Sequence, residues 1–318
     1  MFDLNFPHAG SVSGLTAIFR AEPADFVVEE VVEFAPSGVG EHLYLHIEKV
    51  GQNTLWVAKE LAAHFGGTLT DVGYCGLKDR QAIARQWFSV RLPRGKEANL
   101  EQWHLSGVRL LSFGRHDRKL RPGEHVGNRF VIRLRQVEGE HEQLNQCFAQ
   151  VSLQGVPNYF GEQRFGRGGS NLLQAQSMVD AHPSVWRQRK HQFALASIRA
   201  WLFNQVLAER VRQGTWCVCV DGDPDSLPTG PLWGRGRLTS SAALNELECQ
   251  VTAAFPQWRN VLEHTGVSQQ RRPLCLLLAE AEQWWEGSDC LVSFLLPPGT
   301  FATSVIRELV SVRPAVTP

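Results

Sequence analysis

Along the first half of this chain apolar and polar residues alternate mostly with a period of two, broken by one stretch of helical period. Phe26 to Val32 is rich in valine and phenylalanine, which predicts a strand. Leu43, Leu45 and Ile47 alternate with polar neighbours, as in a half-buried strand. Leu55, Ala58, Leu61, Ala62 and Phe65 recur at helical spacing; Asn53 or Thr54 is placed to cap that helix and Gly66-Gly67 to end it. Further strands are expected at Val72 to Tyr74, Trp87 to Leu92 and Val108 to Phe113. In Asn128 to Leu134, residues Asn128, Phe130, Ile132 and Leu134 share one parity, while Arg129, Arg133 and Arg135 take the other. Side chains alternate across a strand, so this segment predicts one apolar and one cationic face.

After about residue 155 the pattern changes. A long helix is expected over Gln192 to Arg212, with Leu195, Ile198, Leu202 and Val206 on one stripe, and another around Leu244, Leu247 and Val251. Asp221 to Gly236, heavy in Gly, Pro and Asp, reads as irregular loop between them. Cys290 to Leu296 predicts a strand closed by Pro297-Pro298-Gly299, and Ala302, Ile306, Leu309 and Val310 fit a short helix. The class is therefore α/β (α+β), and 318 residues suit two domains.

Composition narrows the function classes only slightly. Hydrophobic residues make up 43% and charged residues 20%, as in a soluble protein with real cores. The net charge of zero gives no global basic field. Arginine outnumbers lysine 26 to 6, and the guanidinium fork suits phosphate, although GC-rich codon usage explains the ratio equally well. Seven irregularly spaced cysteines argue against a disulfide framework and for a reducing, cytoplasmic location. Cys217 and Cys219 alternate in an apolar run as strand residues would, and no second pair gives them zinc-site spacing. Met1 to Thr16 does not have the form of a signal peptide, and no apolar stretch reaches the length of a membrane span. No heptad or apolar stripe suggests a partner subunit, so a monomer is expected.

Four stretches carry candidate chemistry. Tyr74-Cys75-Gly76-Leu77-Lys78-Asp79-Arg80-Gln81-Ala82 follows a strand, and a carboxylate on a strand-end loop is a natural nucleophile or base. Flanking cations keep such a carboxylate ionised if either packs against it, although a Lys-Asp-Arg run alone is more often a solvated turn. Gly127-Asn128-Arg129-Phe130 puts an amide beside an aromatic ring, suited to the edge and face of a pyrimidine, or to an ordinary core. Asn158-Tyr159-Phe160-Gly161-Glu162-Gln163-Arg164-Phe165-Gly166-Arg167-Gly168-Gly169 interleaves aromatic rings, arginine and glycine. Phe294-Leu295-Leu296-Pro297-Pro298-Gly299-Thr300-Phe301-Ala302-Thr303, then Arg307-Glu308, reads alone as strand, turn and helix.

In this order the four resemble the signatures of the tRNA pseudouridine synthase D family. Pro23-Ala24-Asp25-Phe26-Val27-Val28-Glu29, Phe203-Asn204 and Gly230-Pro231-Leu232-Trp233-Gly234 add to a resemblance spanning the chain. Ala84 stands where the family often has Thr, and Arg20 where Lys is common.

The resemblance implies a pseudouridine synthase catalytic domain with a mixed/antiparallel sheet, interrupted by a family-specific α/β insertion domain. Its pieces are expected at 1–155 (catalytic), 156–289 (insertion) and 290–318 (return to the catalytic domain). It implies isomerisation of uridine to pseudouridine in tRNA, at uridine 13 of the D arm in bacterial members, with Asp79 catalytic and no metal or other cofactor. Phe26, Asn128, Phe130 and Phe301 are the substrate-binding candidates, and Arg164 and Arg167 candidate contacts to the RNA backbone. Two other classes stay open: a non-catalytic RNA-binding protein on this scaffold, which predicts a lost catalytic acid, and a glycosidase or nucleoside hydrolase, which predicts a second paired carboxylate.

Overall fold

The computed structural model describes residues 2–10, 14–93, 98–100 and 103–313. Parts of the expected N-terminal stretch and of the 290–318 segment lie outside the described residues. In chain order the first elements are β1 (Thr16–Phe19), β2 (Phe26–Val31), β3 (His42–Val50), α1 (Thr54–His64), β4 (Val72–Tyr74), β5 (Ile83–Arg91), β6 (Val108–His116) and β7 (Gly127–Glu138). There follow α2 (His141–Gln154), β8 (Val156–Pro157), α3 (Ser170–Ser177), α4 (Pro183–Trp186), α5 (Gln192–Arg212), β9 (Thr229–Leu232), α6 (Ala242–Thr252), α7 (Pro256–His264), β10 (Gln270–Pro273) and β11 (Cys275–Leu276). The chain ends with β12 (Ala279–Glu286), β13 (Asp289–Leu296), α8 (Ala302–Ile306) and β14 (Ser311–Arg313).

Backbone contacts gather these into two units. One holds Gly14–His141, Leu278–Gly299 and β14, the other residues 2–10, Glu142–Leu277 and Thr300–Val310. The first unit is built on a ten-stranded mixed sheet of order β12-β13-β7-β2-β5-β3-β6, with β1, β14 and β4 attached beside that path. β2 runs parallel to β5, β1 parallel to β14, and the other pairs are antiparallel. β12 forms a hairpin with β13, so the strands rejoining the sheet begin near residue 278 rather than 290. α8 belongs to the other unit, where Ser304 Oγ donates to the Tyr159 carbonyl (3.1 Å).

Register puts Phe26, Val28 and Glu30 of β2 level with Ile132, Phe130 and Asn128 of β7. On the other side of β7, Phe294 faces Phe130 and Leu296 faces Asn128. The same face continues through Ala84, Gln86 and Phe88 of β5 to Lys49, Ile47 and Leu45 of β3. α1 packs its Val57, Ala58 and Leu61 onto Leu45, Ile47 and Phe88. Asn53 caps this helix, accepting from the Trp56 amide (2.7 Å), and Gly66, at φ 69°, turns the chain out of it. Gly127 lets β13 approach β7, since a Cβ there would lie 2.7 Å from the Leu296 carbonyl oxygen.

The opposite face of β7 does not offer free positive charge. Arg129 pairs with Glu280, Arg133 with Asp289 (3.0 Å) and Glu286, and Arg135 with buried Asp25 (2.8 Å) and with Glu22 (3.3 Å). The cationic face expected from parity is therefore neutralised by acids brought in from β12, β13 and the turn before β2.

In the second unit α5 runs through an aromatic core that includes Phe165, Trp186, Trp201, Phe203 and Trp258. The N-terminal residues join this core, with Phe6 stacked on Tyr159 at 5.2 Å. Arg307 holds them by donating to the Phe6 carbonyl, and Glu308 by accepting from the Ala9 amide (2.8 Å). Two expectations fail here. Cys217 lies in a turn and Cys219 in irregular backbone, not in a strand, because buried Arg210 gathers the Thr215 (2.7 Å) and Val218 (2.9 Å) carbonyls and curls the backbone around itself. The loop expected over Asp221 to Gly236 contains β9, paired with β10, where Gly230 leaves room for Leu274 and Phe203.

Ile132 is fully buried mid-β7 between β2 and β13. Ile132→Ala is expected to destabilise the fold by about 2–5 kcal/mol, measured as a lower urea midpoint.

Candidate active site

The loop between β4 and β5 is fixed from beneath by polar groups that stand on the apolar parity of three strands. Lys49, fully buried, donates from Nζ to the carbonyls of Gln52 (2.7 Å), Asp79 (2.8 Å) and Lys78 (3.4 Å). The Lys78 amide donates to Thr54 Oγ1 (2.9 Å), and that hydroxyl donates to Gln86 Oε1 (2.9 Å). Gln86 Nε2 in turn donates to the Gly76 carbonyl (3.3 Å). Buried backbone groups need such partners, and together they leave this loop little freedom.

Neither cation flanking Asp79 holds it. Lys78 turns inward, its ammonium on Glu30 Oε1, while the other Glu30 oxygen accepts from the Trp87 amide (3.0 Å). Burial pushes the Glu30 carboxyl above its ordinary range, opposed by the Lys78 charge and these hydrogen bonds. Arg80 donates to the Gly51 carbonyl (2.9 Å). The partner of Asp79 is Arg20, whose Nη1 lies 2.7 Å from Oδ2. Asp79 Oδ1 accepts from the Gln81 amide (3.3 Å), and the carboxylate side chain stays one-third exposed (33%). Arg20 has φ 58°, a left-handed conformation disfavoured for a residue with a Cβ, and its guanidinium lies 3.9 Å from the centre of the Phe26 ring.

Phe26 and Phe130 meet edge to face at 5.6 Å, and Phe294 lies 5.8 Å beyond Phe130. Asn128, two residues from Phe130 on the same face, has Nδ2 3.3 Å from His125 Nε2. Burial, with help from Lys78, pushes the His125 pKa down to about 4, so the ring is neutral near pH 7 and Nε2 can accept from the amide. Asn128 Oδ1, His125 Nδ1 and Arg20 Nε are buried without a hydrogen-bond partner among the described residues. Asn128 and His125 stand side by side, so a ligand there can supply the bonds that Asn128 Oδ1 and His125 Nδ1 lack. Glu30, Cys75 and His125 bring a carboxylate, a thiol and an imidazole within 4.8 Å of one another, with the Lys78 ammonium already on the carboxylate. Burial pushes the Cys75 thiol up to about 12, which keeps it protonated.

Asp79, Phe26, Asn128 and Phe130 thus share one unit. Phe301, Arg164 and Arg167 belong to the other. There Phe301 precedes α8 and lies 6.4 Å from Phe160, the Arg164 guanidinium stands 5.4 Å from the Phe160 ring, and Arg167 is exposed. Sequence reasoning missed Glu30, Lys49, Gln86 and His125 and saw Arg20 only as a departure from the family pattern. The first three carried a signal, since each continues the buried parity of its strand with a polar residue.

A mixed α/β fold that sets an ion-paired carboxylate near clustered aromatic rings and an unsatisfied amide has the equipment of an enzyme acting through a carboxylate on a planar ring. Comparison with known proteins narrows that class. Residues 7–173 match the family model for tRNA pseudouridine synthase D (TruD). The chain is 46% identical to tRNA pseudouridine synthase D of Cellvibrio japonicus (strain Ueda107) over 321 residues, covering 98% of this chain and 94% of that one. It is 44% identical to that of Chromohalobacter salexigens over 323 residues, covering 92% of each. A crystal structure from Methanosarcina mazei, assigned as tRNA pseudouridine synthase D (TruD), superposes with a TM-score of 0.74 at 19% identity, covering 96% of this chain and 95% of that one. The chain belongs to the tRNA pseudouridine synthase D (TruD) family, and it is an isomerase.

Burial lowers the Lys49 pKa from 10.5 to about 8, against the pull of Asp79. Lys49→Met is expected to reduce kcat roughly tenfold or more by loosening the loop, with KM little changed. In the parent enzyme activity is expected to fall above about pH 8 as Nζ loses a proton and one of its carbonyl contacts. Stability is expected to change the opposite way: between about 8 and 10.5 the unfolded chain binds the extra proton, so stability rises with pH. pH–rate and pH–melting profiles of both proteins check the two signs.

Proposed function

We propose that this enzyme converts uridine to pseudouridine in tRNA, at uridine 13 of the D arm, with Asp79 as the catalytic carboxylate. The observation that carries the reading is the Arg20–Asp79 ion pair (2.7 Å), set on a rigid loop, with Arg20 lying over the Phe26 ring. The charge-assisted contact aims the carboxylate. Its partial exposure leaves it open to substrate.

The reaction breaks the N1–C1′ bond of the nucleotide and joins C1′ to C5 of the same base. The hydrogen lost from C5 is matched by one gained at N1, so atoms balance without a second substrate. The Asp79 carboxylate suits either route: attack on C1′, or removal of the C2′ proton to give a glycal-like intermediate. In both, the detached uracil must be held while it turns. Asn128 offers its unsatisfied Oδ1 and its Nδ2 to the Watson–Crick edge, and Phe26 and Phe130 offer aromatic surface. Extruding a base costs a few kcal/mol, and one aromatic stack returns about 1–3 kcal/mol. Arg164 and Arg167 add phosphate contacts.

On this reading the unit bearing Asp79 is the catalytic domain, closed by β12 and β13, and residues 142–277 form the insertion, acting in a monomer. The rival reading of a non-catalytic RNA-binding protein expects a lost acid, whereas Asp79 is in place with its cation.

Pseudouridine mapping on unmodified tRNA transcripts tests the assignment. The parent enzyme is expected to convert uridine 13, and Asp79→Asn to lose conversion by several orders of magnitude while still binding tRNA. Conversion by Asp79→Asn at the parent rate would remove Asp79 from the chemistry. Binding without conversion by either protein would favour the rival reading.

A further inference from the structure

The first turn of α5 carries an aromatic ring that the helix does not bury. Phe193 is 72% exposed, more than any other Phe, Trp or Tyr among the described residues, whereas Ala194 and Ile198 on the same helix are fully buried. Single exposed apolar residues are ordinary on a protein surface, so the surroundings of Phe193 decide its meaning. The turn leading into α5, Arg189–His191, sets Arg189 and Lys190 within four residues of the ring, both exposed, and among the described residues neither is paired with an acid. Neither α5 nor α3 has an acidic residue in its first turn. From residue 161 to residue 193 five cations (Arg164, Arg167, Arg187, Arg189, Lys190) stand against two acids (Glu162, Asp180), in a chain whose net charge is zero.

Hydrogen bonds gather the segments of this surface. Ser197 Oγ lies 2.7 Å from the Phe193 carbonyl oxygen and 2.6 Å from the Arg164 carbonyl oxygen, which packs the glycine-rich run against the first turn of α5. Asn171 Nδ2 of α3 donates to the same Arg164 carbonyl (3.2 Å), and Gln174 Nε2 of α3 lies 3.5 Å from His191 Nδ1. Arg167 follows in that run, exposed between Gly166 (φ 77°) and Gly168 (φ 59°). Arg187 is engaged elsewhere, donating to the His264 (3.1 Å) and Thr265 (3.3 Å) carbonyls. The ring in water adds nothing to folding, since no apolar surface is removed there. An exposed ring can stack on the face of any base, and cations on both sides of it suit the phosphates that flank that base. The local excess of positive charge favours nucleic acid over an apolar protein face as the occupant.

We propose that Phe193, with Arg189, Lys190 and Arg167, forms a docking surface for an unpaired stretch of the tRNA substrate. Phe193 stacks on one base, and the three cations meet the phosphates around it. The inference rests on the tRNA reading above and adds to it an aromatic contact made by the second unit, apart from the base-holding residues Phe26, Asn128 and Phe130.

The test is equilibrium binding of unmodified tRNA over a salt series, with steady-state kinetics alongside, for the parent enzyme, Phe193→Ala, Phe193→Leu, Phe193→Trp and the double variant Arg189→Gln/Lys190→Gln. Phe193→Ala is expected to weaken binding roughly tenfold with the parent salt slope, Phe193→Leu to weaken it similarly, and Phe193→Trp to bind at least as tightly as the parent. The double variant should reduce the slope of log K against log salt by about two. In each weakened variant the loss should appear in KM rather than in kcat. The ring is exposed, so these substitutions leave the fold in place. Parent affinity in Phe193→Ala, or in Phe193→Leu, would overturn the proposal, while uridine conversion by the parent enzyme would leave the catalytic reading intact. A parent enzyme that self-associates through Phe193, with Phe193→Ala monomeric and unchanged in tRNA affinity, would assign the surface to a second copy instead. A parent enzyme that neither binds nor modifies tRNA would sink both readings.

Discussion

The ion pair between Lys78 and Glu30 sets the geometry on which the candidate site depends. Removing a carboxylate and an ammonium from water costs several kcal/mol each, and the pair survives burial only because each group is met closely. Glu30 has the ammonium on one oxygen and the Trp87 amide on the other. With Lys78 drawn inward, the next side chain on the loop, Asp79, is turned out toward Arg20. Lys49 and Thr54 then fasten the backbone on either side of that reversal. The loop is held by polar groups that lie where a sheet ordinarily places apolar ones. A carboxylate on such a platform needs little rearrangement to act.

The second unit follows the same logic with arginine in place of lysine. Arg210 gathers the Thr215 and Val218 carbonyls and curls the chain after α5, and Arg307 takes the Phe6 carbonyl and fastens the N-terminal residues beside Tyr159. Arg199 likewise collects the Leu232 (3.1 Å) and Trp233 (3.0 Å) carbonyls. Much of the arginine excess over lysine is thus internal fastening rather than a surface for nucleic acid.

Most regular elements were legible because their signals are local. α5 spans the residues that its apolar stripe predicts, and α1 begins at its Asn53 cap and ends at Gly66. The candidate Asp79 was reached through its motif. Long-range charge matching was not legible. Arg129, Arg133 and Arg135 read as a cationic face, yet their acids come from segments up to about 150 residues away. The partner of Asp79 was hidden in the same way, since nothing in the local pattern around Arg20 reveals a left-handed backbone aimed at a distant loop. Cys217 and Cys219 misled because alternation over five residues is weak against a buried guanidinium that needs carbonyls. The polar residues Glu30, Lys49 and Gln86 were readable in principle, as breaks in an otherwise apolar parity.

The central claim, that the buried pair beneath the loop acts as one unit to present Asp79, is tested most directly by a double-mutant cycle. The single-turnover rate of uridine isomerisation in tRNA would be measured for the parent enzyme, Glu30→Gln, Lys78→Met and the double variant. Each single substitution should slow the reaction strongly, and the double variant should be no slower than the worse single one, because either change alone breaks the unit. Losses that simply multiply, or singles that react at the parent rate, would contradict the account.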